Sequence, residues 1–551
     1  MKIKIQQNLI FLIFTLVIHS VYQVFFPGLN PDKIIQLSTA INYLNGNGIS
    51  ITYFNLNTGL NYYSNITLWP PGYALLVSLF LKLTNNIIIS DIIINIISVF
   101  ILFISLYFIL DELKMFKTIN EFAVSLIFIF LSFCSEPFRS LTTTDFISLA
   151  FYVWSFFFML KLFIHYNNNS GKRNYYYITV ISILLFLSCF FRYAYYPLIT
   201  VFPIILCIRL WTTRNLKIII ETIYGLFLIG LLISGLLIYT KLKSAGSFNI
   251  FEDRFRYLHV GNNWSNLLSF DSIFRNPFLS KGYPESYVYK LLMKIHFNFL
   301  PKTIFYSFID SCLSIFVFFV ILLGIVNFYK NGKIKWYNTR DPLSIFMLIS
   351  LLVIVINAVF MSYLSIKFPI TDGFEIFTFV SERRYFALTF ILIVLIFIII
   401  FQSNLNLLPP ILRKVSLIFI ILSLCLNIMK QMSYYNSYKQ FILNSGKYDY
   451  YYLNAFQDIV KTDKAVLVDD LKRSEYWKWM SLAGSSICDK HDFIKHSKVN
   501  YNQNFIIVLP ADNLSIIDNQ LNQYCNDHHA ENIYTNKGYK FCYIKCKTNL
   551  R

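Results

Sequence analysis

Residues 58–80, "TGLNYYSNITLWPPGYALLVSLF", change character at their midpoint. Polar and aromatic sequence runs into Trp69-Pro70-Pro71-Gly72-Tyr73 and then directly into an apolar run ending near residue 84. Two prolines there mark a helix start, because the first turn of a helix has no backbone N–H bond for proline to remove. Trp69 and Tyr73 suit the headgroup level of a bilayer. A helix needs about 20 apolar residues to cross a hydrocarbon core of about 30 Å, and the run 70–84 falls short of that. It is expected to be a short interfacial or re-entrant helix, with a tilted short crossing as the alternative.

Working outward, the whole chain reads as membrane sequence. Of its 551 residues, 56% are hydrophobic and only 14% charged, against about 25% charged in soluble domains. The formal charge of +19 does not point to nucleic acid, since the Lys and Arg residues sit in short clusters between apolar runs, as in cytoplasmic loops. The first apolar run, Asn8 to Phe26, follows Lys2 and Lys4; it is too long for a signal-peptide core and no small-x-small site follows. It is read as an uncleaved first span.

Further runs of spanning length lie at about 87–110, 118–135, 143–164, 175–191, 194–211, 218–241, 302–327, 343–364, 385–402 and 411–430. That makes about 11 spans plus the short helix at 70–84. With the N-terminus inside, Lys114/Lys117, Lys172/Arg173, Arg214/Lys217, Lys330/Lys333/Lys335/Arg340 and Arg413/Lys414 all fall on one side, as the positive-inside rule requires. Counting 70–84 as a full crossing would invert every later loop.

The expected organisation is therefore an α-helical polytopic domain over 1–432, with a first outer loop at 27–69 and a long outer loop at 242–301. A small extracytoplasmic α/β domain follows over 433–551. In that tail "KAVLVDD", "NFIIVLP" and "YKFCYIKC" read as strands, and "SEYWKWMSLAG" and "IIDNQLNQYCNDHH" as helices. Cys134, Cys189, Cys207, Cys312 and Cys425 lie in or beside apolar runs and read as core residues. Cys488, Cys525, Cys542 and Cys546 lie in the tail, where an oxidising compartment would allow disulfides whose pairing the sequence does not give.

Acidic groups beside apolar helices are costly unless they face water or a partner, so those at the outer interface stand out. Asp32 follows the first span and begins an amphipathic helix with Ile34, Ile35, Leu37, Ala40, Ile41 and Leu44 at helical spacing, stopped by Asn45-Gly46 and Asn47-Gly48. By itself this is also what a helix-start charge complementing the dipole looks like. Glu136 and Asp145 frame the next outer link, "SEPFRSLTTTDFISLAF". Arg192 interrupts two apolar runs, and Arg383 and Arg384 precede a late span. Interfacial arginines commonly snorkel, and arginine is also the side chain that grips a phosphate bidentately.

The order of these features resembles the GT-C class of polyprenyl-phosphate-sugar-dependent glycosyltransferases, in the bacterial branch similar to protein O-mannosyltransferases and aminoarabinose transferases. The features are an Asp soon after the first span, "AINYLNGNG" at 40–48, "WPPGYALL" at 69–76, "TTD" opening a later span and "RY" before a late one. The resemblance covers residues 5 to 200 well, 370 to 402 more weakly, and not the tail. It implies Asp32 as catalytic base, Asp145 (with Glu136) as the second acidic, acceptor-side position, and Trp69, Pro70, Pro71 and Tyr73 as the wall of a donor cavity. The family often places a Glu directly after the base, where this chain has Lys33.

The implied chemistry is inverting transfer. Asp32 takes a proton from an acceptor hydroxyl or amine, while Arg192, Arg383 or Arg384 stabilise the leaving lipid phosphate. The expected partners are a polyprenyl-phosphate-linked sugar, a glycan, lipid or protein acceptor, and membrane lipid. No cofactor is expected; some GT-C enzymes use a divalent metal, and Asp32 and Asp145 are too sparse to predict one. The alternatives are a lipid-linked polysaccharide ligase or polymerase and a secondary transporter, though no inverted repeat is apparent. The expected location is a bacterial inner membrane, N-terminus cytoplasmic.

Overall fold

The computed structural model describes residues 31–65, 69–113, 143–164, 171–213, 216–243, 319–327, 341–367, 387–402, 465–469, 486–496, 503–510, 515–535 and 539–545, with a few isolated positions. The chain divides into two compact units: Met1–Pro27, Ile92–Thr240 and Phe251–Tyr435 form one; Gly28–Asp91, Lys241–Ile250 and Asn436–Arg551 form the other.

The first unit is helical. It contains most of α3 (Ile87–Glu112), then α4 (Thr143–Ile164), α5 (Gly171–Phe191), two 3-10 turns at Tyr193–Tyr195 and Pro197–Thr200, α6 (Val201–Thr213), α7 (Leu216–Lys243), α8 (Pro342–Lys367) and α9 (Ala387–Gln402). Helix α4 is the hub: 72% of its apolar window is buried, against 28% for α7. The Tyr152 hydroxyl of α4 donates to the Leu198 carbonyl at 3.0 Å and Trp154 Nε1 to the Ile101 carbonyl at 3.0 Å. Phe156 meets Phe346 of α8 edge-on with ring centroids 5.5 Å apart. Asn357 of α8 donates to the Thr389 hydroxyl of α9 at 3.0 Å. Such side-chain bonds suit an apolar bundle, where an unmet polar group has no water to turn to.

Among the described residues six helices are long and apolar enough to cross a membrane: Ile87–Glu112, Thr144–Ile164, Arg173–Phe191, Tyr193–Thr212, Leu216–Lys243 and Pro342–Met361. Each coincides with an expected span, and the protein is a multi-pass membrane protein. The expected span at 385–402 is the 16-residue α9. The runs 8–26, 118–135, 302–327 and 411–430 lie wholly or largely outside the described residues. Apolar character does not always mean a core position. Cys189 is buried as expected, but Cys207 is exposed on α6, since a helix face turned to lipid is as apolar as one turned inward.

The second unit joins the first outer segment to the tail. Helix α1 (Pro31–Leu44) buries Ile34, Ile35, Leu37 and Ala40 and ends at Asn45-Gly46, with Gly46 at φ +81°. Strands β1 (Ser50–Asn55) and β2 (Leu60–Asn65) form a hairpin whose turn carries Gly59 at φ +64°, and Asn55 Oδ1 accepts from the Asn57 N–H at 2.9 Å. Helix α2 (Gly72–Thr84) starts after Pro71 as expected; its 13 residues rise about 20 Å, short of a bilayer core. Asn85 turns left-handed (φ 54°), and Asn86 Oδ1 then accepts from the Ile88 and Ile89 N–H groups to start α3.

The tail adds β3 (Val466–Asp469), β4 (Ile487–Asp489), α10 (Lys490–His496), β5 (Phe505–Pro510), α11 (Ile516–Asp527), β6 (Glu531–Thr535) and β7 (Tyr539–Ile544). All seven strands form one sheet, order β2-β1-β4-β3-β5-β7-β6. Its centre, β1-β4-β3-β5, is parallel and both edges are antiparallel. Strands β3 and β5 are apolar runs, as a sheet covered on both faces demands. The join to the first segment is Tyr53 opposite Ile487, with the Ser486 hydroxyl bonding Asn61 Oδ1 at 2.7 Å.

Candidate functional site

Asp32 is the second residue of α1; its side chain lies outside what the structure describes, as do Glu136, Arg383 and Arg384. Its neighbour Lys33 is described, and it is 2% exposed. A cation in the first turn of a helix opposes the helix dipole, and a buried one carries a desolvation penalty as well. Both costs are met by a carboxylate from another element: Lys33 Nζ forms an ion pair with Asp91 of α3, itself 1% exposed. The Tyr73 hydroxyl donates to the other Asp91 oxygen.

Tyr73 belongs to the Trp-Pro-Pro-Gly-Tyr stretch and is fully buried, with its hydroxyl bonded to Asp91. Pro70 and Pro71 are buried too. Trp69 is half-buried and packs on Ile35 of α1, Ile51 of β1 and Ile487 of β4. Three sequence features thus converge: the residue after the candidate base, the Pro-Pro-Gly-Tyr helix start, and an acid in the apolar run "IIISDIIIN".

In the helical unit, Asp145 stands in the first turn of α4 and Arg192 directly follows α5. These two helix ends come together, and the Arg192 guanidinium forms an ion pair with Asp145 Oδ1. The sequence reading assigned the two residues to opposite sides of a reaction, acceptor and donor; the structure makes them partners. Around them Tyr193 and Tyr196 stack at 5.5 Å, Tyr152 and Tyr195 lie 5.6 Å apart, and the Ser188 hydroxyl donates to the Ser148 carbonyl at 3.1 Å.

The other ends of these helices carry polar pairs that sequence reasoning passed over. Arg209 of α6 and Glu221 of α7, 1% and 0% exposed, pair at 2.9 Å, and Asn174 of α5 donates to Glu221 at 3.1 Å. Lys161 of α4 pairs with Glu112 of α3. Their signal was available: each is an ionisable side chain within or at the end of an apolar run, which requires a partner or a function. An open groove of about 430 Å³ lies on α6, lined by Pro203, Ile204, Cys207, Ile208, Trp211 and Thr212. Its lining carries no charged side chain. Among the described residues no three His, Cys, Asp or Glu side chains form a metal-ligand set.

No protein-family model and no curated protein matches the chain. Among solved structures it is similar to ArnT from Cupriavidus metallidurans in the apo state, with 8% identity, a TM-score of 0.39 and 94% of each chain covered. A likeness at that level of identity and superposition carries no weight for the chemistry.

Proposed function

We propose that this protein is a membrane glycosyltransferase that moves a sugar from a polyprenyl-phosphate donor to an acceptor on the extracytoplasmic face of a bacterial inner membrane, with Asp32 as general base. The observation that carries the reading is the Lys33–Asp91–Tyr73 cluster. It ties together the two stretches that resemble the GT-C pattern most specifically, the Asp32 helix and the Pro-Pro-Gly-Tyr helix start. A base must be held within hydrogen-bond reach of the proton it takes, and a turn anchored by a buried ion pair is a rigid mount for one.

In the proposed reaction Asp32 removes the proton from an acceptor hydroxyl or amine as that atom attacks the anomeric carbon in line. The lipid phosphate leaves as a stable anion, needing no acid. With one base and no covalent intermediate, the anomeric configuration inverts. Arg383 and Arg384 are proposed to meet the phosphate charge. Arg192 joins them with Asp145 as its orienting partner, a revision of the acceptor-side role that the resemblance implies for Asp145. Lys33 occupies the place where the class often has a second carboxylate, and its charge is directed to Asp91, which favours a single-carboxylate site.

Membranes containing the wild-type chain, incubated with a mixed pool of radiolabelled polyprenyl-phosphate sugars, test the reading. Label moved to a glycan, lipid or protein fraction supports it; no transfer from any donor shifts the weight to the ligase, polymerase or transporter alternatives.

A further inference from the structure

Residues 34–81 contain no Asp, Glu, Lys, Arg or His, in a chain of net charge +19. Within that stretch the β1–β2 hairpin forms one end of the sheet, and β2 pairs only with β1 among the described residues. Natural edge strands are commonly blunted by charge, above all lysine, or by proline. Strand β2 instead presents Leu60, Asn61, Tyr62 and Tyr63, all exposed. Tyr62 stands directly opposite Tyr53 of β1, and the two rings stack with centroids 5.5 Å apart and planes at 22°. Tyr53 in turn packs, as Trp69 does, against the apolar patch of Ile35, Ile51 and Ile487. An aromatic strip therefore runs from Trp69, at the Pro-Pro-Gly helix start, through Tyr53 to Tyr62 at the sheet edge, where the ring is 49% exposed. Ile35, in the middle of the patch, lies three residues beyond Asp32 on α1.

We infer that this strip binds an uncharged oligosaccharide, which serves as the acceptor; its role as acceptor rests on the glycosyltransferase reading, its binding does not. The chemistry of the hairpin selects that occupant. A sugar ring offers a face of C–H bonds to the negative face of an aromatic ring, and its hydroxyls bond to side-chain amides, which donate and accept alike. Exposed Asn57 and Asn61 supply such amides on the same hairpin. An anionic headgroup or a phosphorylated acceptor would call for a cation, and a basic peptide for an acid; the hairpin has neither. Its tip, Asn57-Thr58-Gly59, is polar and exposed, unlike a wedge that enters a bilayer. The course of the strip fits an extended chain: a glycan stacked on Tyr62 and Tyr53 is led toward Trp69 and the helix that begins with the candidate base.

The test is saturation-transfer NMR on the full-length protein in detergent, with cellohexaose, maltohexaose and mannohexaose as probes. The expected result is saturation passed to the ring C–H protons of at least one of them. Its dissociation constant should be about 3–10-fold weaker in Tyr62→Ala, the range of one aromatic contact. Tyr62→Trp should restore binding, which separates loss of the ring from loss of the fold. No transfer to any of the three sugars, or equal binding by wild type and Tyr62→Ala, would overturn the proposal. So would a dimer in solution, or adhesion to phosphatidylcholine vesicles, that Tyr62→Ala abolishes; either would assign the face to a second copy or to lipid. The measurement uses no sugar donor and no base, so its failure and a failure of label transfer are read separately.

Discussion

Lys33 of α1 and Asp91 of α3 form an ion pair with both side chains almost fully buried, and the Tyr73 hydroxyl holds the carboxylate's other oxygen. The pair joins the helix that begins with the candidate base to the early turns of α3. Its energetics are asymmetric. Removing one partner strands a charge, whereas replacing both with apolar side chains removes the desolvation cost as well.

Asp91→Ala and Lys33→Met are each expected to destabilise the protein by about 3–5 kcal/mol, and Lys33→Met/Asp91→Leu to recover most of that. Tyr73→Phe loses one hydrogen bond to a charged acceptor, about 1.5–3 kcal/mol. Thermal unfolding of the purified protein in detergent reads all four. A double variant no more stable than the worse single one would show that the pair is not coupled in this way.

Asp145 and Arg192 call for a double-mutant cycle. Asp145→Asn, Arg192→Gln and the double variant are expected to show a coupling of about 1–3 kcal/mol, as for charged neighbours in contact. Strict additivity of the two single effects would mean that the ion pair contributes nothing. In the transfer assay Arg192→Lys should also slow the reaction, because an ammonium cannot replace a guanidinium in a fork of two hydrogen bonds.

Asp518 offers a pH test on the extramembrane unit. Burial pushes its pKa up, but hydrogen bonds from Ser515 and Lys490 outweigh that and leave it below the usual 3.8. A carboxylate depressed on folding stabilises the fold above its unfolded pKa, and the contribution is lost as pH falls through the lower folded value. Asp518→Asn, which also breaks the capping box with Ser515, should cost about 1–2 kcal/mol at neutral pH. The charge-dependent part of that difference from wild type should shrink below about pH 4. Chemical unfolding at several pH values measures this, and a gap that grows on acidification would contradict it.

Much of the architecture was legible because its signals are local. Pro71 before α2, Asn45-Gly46 after α1 and the long apolar runs each act within a few residues of themselves. The sheet was half legible: β3, β5 and β7 read as strands, but nothing near "SITYFN" says that it pairs with a partner far along the chain. The Ser486–Asn61 bond spans 425 positions. Lys33 was visible only as a departure from a family pattern; its meaning depends on Asp91, which looks like one polar residue in a span until the fold brings the two together. Asp145 and Arg192 were both singled out, and their pairing was missed for the same reason.

The most direct test of the central claim is transfer of label from polyprenyl-phosphate sugars by membranes containing wild type or Asp32→Asn at equal protein level. The proposal predicts transfer by wild type and a loss of about 10²–10⁴-fold in the variant, the usual contribution of a general base, with thermal stability unchanged. Equal transfer by both proteins would remove Asp32 from the mechanism and contradict the account.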